Sequence, residues 1–342
     1  MKIKLRHNTL IRLISGSILI LVIPFLLYLI LSPFLNWHIA SALICAYLVI
    51  VAYGFIFGWR HIIVRTATCE SALLPKAFDG YRILQLTDIH IGTYLRNRKF
   101  IDRLVEKTNE QHANLIVFTG DLVNVEAKEV IPFKETLHKL SAPDGIYSIM
   151  GNHDYCEYVE DNSKNNIRRN CNILQYMEEK MGWHLLNNEN VRITRKSRNI
   201  ETSDTQTTKS SKDKESESSI YLIGVENISK PPFQDYGDLK KAMEGMQDGT
   251  FKILLNHDPS NWRKSVLHQT DIALTLSGHT HAGQIKIGKF SPVKWAYHEW
   301  GGKYTEGKSM LYVSMGIGGT VPFRIGAWPE INIITLQRKP KV

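Results

Sequence analysis

The sequence predicts an α/β domain that follows two membrane-spanning helices. Two long apolar runs lie near the N-terminus, and from about residue 66 short apolar runs alternate with amphipathic helical patterns. Polar side chains of only a few types come directly after several of those short runs. Alternating strand and helix patterns indicate α/β architecture, because each helix buries its apolar face against the sheet that the strands build.

The two long apolar runs span residues 13–31 and 39–58. Each is close to the roughly 20 residues that cross a bilayer as a helix. The residues between them contain no Lys or Arg and include Trp37, a residue type that is common at the membrane–water interface. We therefore interpret residues 1–65 as a membrane anchor, a transmembrane helical hairpin with the bilayer as its partner.

The formal net charge of +9 is unevenly distributed along the chain. The basic residues that precede Glu70, the first acidic residue, are Lys2, Lys4, Arg6, Arg12, Arg60 and Arg65. The rest of the chain is nearly balanced, which disfavours a nucleic-acid partner. Lys and Arg flank the apolar runs and are absent between them. The positive-inside rule therefore predicts an inner-membrane protein whose domain faces the cytoplasm. An exported domain held by one uncleaved helix is the alternative.

Five short apolar runs in the second part of the chain have the length and composition of buried strands. They lie at residues 82–86, 115–118, 145–150, 251–255 and 272–276. Helical spacing of apolar residues predicts helices over 99–112, 167–181 and 238–246. We interpret residues 66–342 as one domain.

One polar segment, at about residues 195–219, lacks apolar periodicity and is rich in Ser, Thr, Lys and Glu. Such a composition does not bury enough apolar surface to order the chain. The segment joins two strand-like runs, 190–194 and 220–225, so we predict a disordered insertion between the strands of a hairpin.

Each of the five runs leads into side chains that can bind metal ions. In chain order these are Asp88, His90, Asp121, Asn152, His153, His257, His279 and His281. Ligands of α/β sheets bind beyond the carboxyl ends of the strands, so these groups are expected to converge. Carboxylate, imidazole and amide oxygen together suit Mn, Fe or Zn. The alternative is that these side chains only cap or turn the chain after each strand, but that interpretation has to hold independently at five strand ends.

The motifs are Asp88-Ile89-His90, Gly120-Asp121, Gly151-Asn152-His153-Asp154, His257 and Gly278-His279-Thr280-His281. Their order and spacing resemble the motif set of the calcineurin-like metallophosphoesterases. The tail, from Gly316 through Arg324 to Ile331, resembles the bacterial YkuE-type branch, which is typically membrane-associated or exported. The resemblance implies a four-layer sandwich of two packed β-sheets flanked by helices.

The resemblance also implies a role for each matching residue. Asp88, His90 and His281 would hold one divalent ion, and Asn152, His257 and His279 a second. Asp121 would bridge both ions, and a hydroxide between them would attack phosphorus. His153 would contact the phosphate and protonate the leaving oxygen. Arg324 is a weaker candidate for substrate binding, with a surface salt bridge as the alternative.

One departure from the pattern concerns the orientation of His153. Relatives of the protein-phosphatase type carry an Asp three residues after the bridging Asp, and Asn124 stands at that position here. Orientation of His153 would then fall to Asp154 or to a backbone carbonyl. The departure disfavours a phosphoprotein substrate.

The expected function is hydrolysis of a phosphodiester or pyrophosphate. A short connection to the anchor favours a lipid-linked substrate, since the wider family includes pyrophosphatases of UDP-diacylglucosamine. Two alternatives stand beside it: an anchored phosphatase or nuclease that acts on soluble substrates, and a catalytically silent membrane scaffold.

Overall fold

The computed structural model describes residues 14, 16–197, 216–231, 233 and 235–340, and within them twelve strands form two sheets. The strands are β1 (Ile63–Ser71), β2 (Arg82–Leu86), β3 (Leu115–Phe118), β4 (Ile146–Ser148), β5 (His184–Leu185), β6 (Glu189–Ser197), β7 (Ser216–Gly224), β8 (Lys252–Leu255), β9 (Leu274–Ser277), β10 (Gly302–Glu306), β11 (Ser309–Val313) and β12 (Glu330–Arg338). The α-helices are α1 (Ile23–Leu31), α2 (Trp37–Ile56), α3 (Arg98–Asn109), α4 (Lys134–Leu137), α5 (Lys164–Lys180) and α6 (Leu239–Ala242).

Both sheets are mixed. The first has the order β1-β12-β2-β3-β4-β5, in which β2 to β5 are parallel and β12 runs antiparallel to β2. The second has the order β10-β11-β9-β8-β7-β6, in which β7, β8, β9 and β11 are parallel. The carboxyl ends of β2, β3 and β4 therefore lie together, as do those of β8 and β9.

The sheets pack face to face, and helices cover their outer faces. Successive residues of a strand point to opposite sides of the sheet. Accordingly, Ile83 of β2 lies in the core between the sheets, while Leu84 lies in the core under the helices, where Phe100 and Leu104 of α3 are fully buried. Burial of such side chains stabilises the fold by about 1.5–3 kcal/mol each. This arrangement confirms the predicted four-layer sandwich.

The predicted elements and the observed ones differ mainly at their ends. The predicted strands 82–86 and 115–118 coincide with β2 and β3, whereas the predicted strand 145–150 is paired only over Ile146–Ser148. The predicted helix 238–246 is reduced to Leu239–Ala242, since Gly245 and Gly249, both with positive φ, follow it closely.

Residues at both ends of the segment 195–219, predicted to be a disordered insertion, belong to strands. Arg195 pairs with Ser218 in the β6–β7 hairpin, and the ladder continues to Ser197 and Ser216. The guanidinium of Arg195 lies 3.1 Å from Asp144 and 4.7 Å from the ring centroid of Tyr81, so ladder bonds and a charged contact order residues that lack apolar periodicity. Residues 198–215 lie outside the described residues.

The N-terminal apolar segments form helices. The helix Trp37–Arg60 is long and apolar enough to cross a membrane, and Ile18–Leu31 is a shorter apolar helix of the described chain. The Tyr47 hydroxyl donates to the carbonyl of Leu19 at 3.0 Å, so the two helices are in contact. The predicted span 13–31 begins outside the described residues, and the transmembrane hairpin remains a prediction.

The C-terminal end of α2 packs directly on the α/β domain. A Cβ atom at Gly54 would come within 2.6 Å of the Phe323 ring, and one at Gly58 would collide with the carbonyl oxygen of Arg324. The amide of Arg324 donates to the carbonyl of Gly54 at 3.3 Å. Glycine at both positions, one in the last turn of α2 and one two residues after its end, therefore permits a close backbone contact between this segment and the domain.

Candidate metal centre

The eight predicted side chains of the strand ends converge at one rim of the sandwich. The loops after β2, β3 and β4 approach it from the first sheet, and those after β8 and β9 approach it from the second. Backbone hydrogen bonds join the loops within each half: the Asp88 amide donates to the Gly120 carbonyl at 2.8 Å, and the Gly278 amide donates to the His257 carbonyl at 2.9 Å. Between the halves, the His279 amide donates to the Asp88 carboxylate at 3.0 Å. The packing of the sheets thus determines the position of the site.

Asp88, His90, Asp121 and His281 form one potential metal-binding group, whose donor atoms all lie within 4.8 Å of one another. His90 Nε2 is 3.5 Å from Asp121 Oδ2 and 3.2 Å from His281 Nε2. His281 Nε2 is 3.3 Å from Asp88 Oδ1. Two imidazole nitrogens this close to each other and to two carboxylates suit a shared divalent cation.

Asp121, His257 and His279 form a second such group, again within 4.8 Å. His257 Nε2 is 3.2 Å from Asp121 Oδ2 and 3.3 Å from His279 Nδ1. The Asn152 amide oxygen lies 2.9 Å from the same His279 nitrogen. Because Asp121 belongs to both groups, the geometry agrees with its predicted bridging role.

The protonation states of the imidazoles fit a cation site. Burial, together with the charge of His153, lowers the pKa of His90 to about 3, and burial lowers the pKa of His279 to about 4. Neutral imidazole is the form that binds metals. Burial opposes a charge on His257, but the carboxylates of Asp121 and Asp88 and the Thr119 carbonyl together outweigh burial and raise the pKa of His257 to about 10. A cation bound there would displace that proton.

The backbone of the site is strained. Asp88, His90, Asp121, His279 and His281 all have φ between +46° and +71°, in the left-handed region. Only a few per cent of non-glycine residues adopt this conformation, and where it persists at a functional site the surrounding structure enforces it. Five of the seven predicted ligands share this feature, which points to a centre assembled at a conformational cost.

Glycine is required where two ligand loops meet. A Cβ atom at Gly278 would collide with the Asp88 carboxylate, and one at Gly151 would collide with the Asp121 carboxylate. The glycines of the sequence motifs therefore serve the close approach of one loop to the acidic ligand of another.

Asp154 holds the loop that carries the bridging carboxylate. Its Oδ2 accepts from the amides of Asp121 at 2.7 Å and Gly151 at 3.0 Å. Its Oδ1 accepts from those of Leu122 at 2.8 Å and Val123 at 3.1 Å. The sequence suggested Asp154 as a possible orienting group for His153. The structure instead assigns it to the backbone, a role that no spacing pattern could have indicated.

His153 is oriented by a backbone carbonyl, one of the two alternatives considered from the sequence. Its Nδ1 lies 2.7 Å from the Asn124 carbonyl oxygen, and its backbone amide donates to Asp121 Oδ1 at 2.8 Å. Since Nδ1 carries the proton in that bond, Nε2 is the nitrogen left to accept or donate a proton. The ring lies against those of His90 and Tyr158, at centroid distances of 4.7 and 4.5 Å.

Two tyrosines, whose contacts with the site the sequence did not reveal, orient ligands of the second group. The Tyr297 hydroxyl is 2.8 Å from His279 Nε2, which leaves Nδ1 toward the other donors. The Asn152 amide nitrogen donates to the Tyr158 hydroxyl at 3.1 Å, so the amide oxygen faces His279. Such contacts fix the tautomer or the orientation of a ligand.

Arg324 is buried and is not a surface salt bridge. It donates to the carbonyls of Gly318 and Ala327, and one guanidinium nitrogen lies 3.4 Å from His281 Nδ1. A phosphate contact would require the guanidinium to leave these carbonyls. The geometry therefore favours a positioning role for Arg324 over the predicted phosphate contact.

Comparison with known proteins agrees with this geometry. Residues 81–283 match the family described as calcineurin-like phosphoesterase. An uncharacterized metallophosphoesterase of Bacillus subtilis, YkuE, is 30% identical over 81% of this chain and 86% of its own length. A transmembrane protein with metallophosphoesterase domain from Danio rerio is 27% identical over 85% of this chain and 61% of its own length.

Solved structures show a weaker similarity. A dimetal phosphatase from Danio rerio has a TM-score of 0.37 and 9% identity, and it covers 71% of this chain and 90% of its own. The family match spans more than half of the chain and includes every predicted ligand, and it accords with a centre built from two donor groups that share Asp121. The chain belongs to the calcineurin-like phosphoesterase family and is a metal-dependent phosphoester hydrolase.

Proposed function

We propose that the protein is a membrane-anchored hydrolase of a phosphodiester or pyrophosphate carried by a lipid. Asp88, His90, His281 and Asp121 would hold one divalent ion, and Asn152, His257, His279 and Asp121 the second. Mn, Fe or Zn suits this donor set. Two such ions supply a nucleophile at neutral pH and neutralise charge that develops on the phosphoryl group.

The residues of the chain account for the remaining chemistry. His153 donates Nδ1–H to the Asn124 carbonyl, so Nε2 would present a proton to the leaving oxygen. Its backbone amide holds Asp121, so the position of the acid is linked to that of the bridging ligand. Tyr297 and Tyr158 orient His279 and Asn152 by hydrogen bonds to their outer atoms.

The single observation that supports a lipid-borne substrate is the contact between α2 and the centre. The carbonyl of Gly54 accepts from the Arg324 amide, while the Arg324 guanidinium lies beside His281. One residue thus separates the last turns of the candidate membrane helix from a predicted metal ligand. A site tied to the bilayer at this distance favours substrates that remain in the bilayer, and the basic flanks of the anchor favour the cytoplasmic face.

The test uses the full chain in detergent micelles with Mn²⁺, Fe²⁺ or Zn²⁺. Substrates would be bis-p-nitrophenyl phosphate, its monoester counterpart, and a lipid-linked pyrophosphate such as UDP-diacylglucosamine. We expect hydrolysis of the diester and a higher kcat/KM for the lipid-linked pyrophosphate. Asp121→Asn should abolish both, whereas Asp161→Asn, at an exposed position, should not.

Two outcomes would contradict the proposal. Binding of both ions without turnover of any phosphoester would favour the silent scaffold. Faster hydrolysis of soluble esters than of any lipid-borne one would assign the enzyme to soluble substrates.

A further inference from the structure

The segment between His281 and Tyr297 carries exposed apolar side chains. His281 and Tyr297 both contact the centre, and the segment 285–295 lies between them; we call it the 285–295 loop. After β1, the exposed large apolar residues of the described chain are Leu95, Ile131, Tyr176, Tyr236, Ile287, Phe290 and Trp295. Three of them belong to this loop, so the loop is unlike the rest of the domain surface.

These side chains are presented by a well-defined turn. Ile287 and Phe290 exchange backbone hydrogen bonds at 2.9 and 3.0 Å around Gly288 and Lys289. The Phe290 and Trp295 rings lie 5.5 Å apart, and Trp295 is 75% exposed. The turn thus presents Ile287 and Phe290 at the surface, and Trp295, at the end of the short helix Pro292–Trp295, lies beside Phe290.

The charge of the loop has one sign. Lys286, Lys289 and Lys294 lie within it, and no Asp or Glu occurs between Asp271 and Glu299. The Lys294 ammonium lies 4.9 Å from the Phe290 ring centroid and 5.8 Å from that of Trp295. Aromatic residues interleaved with lysine are typical of segments that lie at the surface of an anionic bilayer.

The loop is continuous with the membrane helix. The Lys286 amide donates to the Ile325 carbonyl at 2.8 Å, and Ile285 and Ile325 pack with Phe323 and Val51 in one apolar cluster. Val51 lies five residues before the end of α2 at Ile56, about 7.5 Å along the helix axis. The base of the loop is therefore level with a part of α2 that would lie inside the bilayer.

We propose that the 285–295 loop inserts into the surface of a bilayer that contains anionic phospholipid, beside α2, as a second membrane contact. This inference rests on the membrane anchoring in the proposed function. It places Ile287, Phe290 and Trp295 among the lipid headgroups and acyl-chain ends, and the lysines opposite phosphate. The two residues of the centre that flank the loop, His281 and Tyr297, would then lie close to a second point of membrane attachment.

The test measures the depth of Trp295 in the full chain. The protein would be reconstituted in phosphatidylcholine vesicles that contain phosphatidylglycerol, with or without brominated acyl chains. The difference between native fluorescence and that of Trp295→Phe isolates Trp295. We expect this signal to be blue-shifted and quenched at least about twofold by brominated lipid. Tyr176→Trp, which places an exposed indole on α5, should be quenched in neither vesicle.

Charge-reversal variants test whether the loop requires anionic lipid. Lys289→Glu with Lys294→Glu should remove the quenching of Trp295 in vesicles with phosphatidylglycerol, because like charges repel. Lys240→Glu with Lys241→Glu, on α6, should leave it unchanged. Equal exposure of Trp295 and of the indole at position 176 to water would overturn the proposal.

A second measurement on the same samples distinguishes failure of the proposed hydrolase function from failure of the proposed lipid contact. Turnover of bis-p-nitrophenyl phosphate would be measured on the same vesicles. Quenching without turnover supports the lipid contact and refutes the hydrolase. Turnover without quenching of Trp295 supports the hydrolase and refutes the lipid contact.

Discussion

At the residue scale, the proposed function depends on two histidines whose Nδ1 atoms are hydrogen-bonded to backbone carbonyls, so that Nε2 remains for the chemistry of the site. His153 gives its Nδ1 proton to the Asn124 carbonyl, and His257 Nδ1 lies 2.7 Å from the Thr119 carbonyl. In each case a backbone oxygen fixes the tautomer, and His257 Nε2 lies 3.2 Å from Asp121 Oδ2. Position 124 does not need the Asp of protein-phosphatase relatives, since its carbonyl already fulfils the orienting role.

Replacement of His153 tests its role as a proton donor. We expect His153→Gln to lower kcat by about 10²–10⁴-fold, the range for loss of a general acid, and to leave both ions bound. Steady-state kinetics with a diester and metal analysis of the purified protein would measure the two effects. His268→Gln, at an exposed position, is the matched control. A variant that loses its ions together with its activity would show that His153 serves the metal site.

Replacement of Tyr297 tests a positioning residue. Tyr297→Phe removes the hydroxyl at His279 Nε2, and we expect the affinity of the second ion to fall about 10–100-fold. Titration of the metal-free protein with Mn²⁺ would measure this change, and excess Mn²⁺ should restore kcat. Tyr176→Phe is the control. An unchanged titration curve would assign Tyr297 to packing alone.

The sequence indicated the candidate ligands, which the structure brings together, but it did not indicate which groups orient them. Motifs such as Gly-Asn-His-Asp record residue types at strand ends, and convergence of the ends follows from the sheet topology. Tyr297 and the Asn124 carbonyl act across loops whose conformation depends on tertiary packing. The sequence offered a phosphate contact or a surface salt bridge for Arg324 and did not indicate its burial, because its guanidinium contacts the carbonyls of Gly318 and Ala327 in a loop whose conformation depends on tertiary packing.

At the element scale, the loop after β3 is held by one carboxylate. Asp154→Asn would turn its amide nitrogen toward two of the four amide donors that Asp154 now accepts. We expect a loss of free energy of unfolding on the order of 3 kcal/mol, because unsatisfied buried donors cost about 1–3 kcal/mol each. Thermal unfolding in detergent would measure it against Asp161→Asn. Equal melting temperatures would contradict this role.

Helix α5 carries a buried acid that makes stability depend on pH. Burial raises the pKa of Glu178 to about 8, and its Oε2 accepts from the Ser148 hydroxyl at 2.6 Å. In the unfolded chain the pKa is about 4.3, so the folded state binds more protons between these values. The free energy of unfolding therefore falls as pH rises from about 4.3 to about 8.

Glu178→Gln should remove most of that dependence. We expect its melting temperature to fall less than that of the native protein between about pH 6 and pH 9. Glu179→Gln, at the neighbouring exposed position, should follow the native curve. If the curves of Glu178→Gln and the native protein were parallel, another group would carry the dependence.

At the scale of the whole molecule, the end of α2 contacts the segment that carries Arg324 at two glycines, Gly54 and Gly58. Gly58→Ala would push the Arg324 backbone away from α2, and the Arg324 guanidinium contacts His281. We expect kcat/KM to fall about tenfold, equivalent to 1.4 kcal/mol, with a higher Mn²⁺ requirement. Gly16→Ala has open space around it and is the control. Normal activity of Gly58→Ala would show that the helix is only a tether.

The position of β12 has a consequence for the order in which the molecule is assembled. β12 lies between β1 and β2, so the first sheet stays divided until almost all of the α/β domain has been synthesised. The apolar helices precede every strand in the chain, so they leave the ribosome while β1, directly attached to them, still lacks its neighbour β12. With the proposed anchor in the membrane, the domain would be completed at the bilayer, and a chain released before β12 would keep an open sheet edge there.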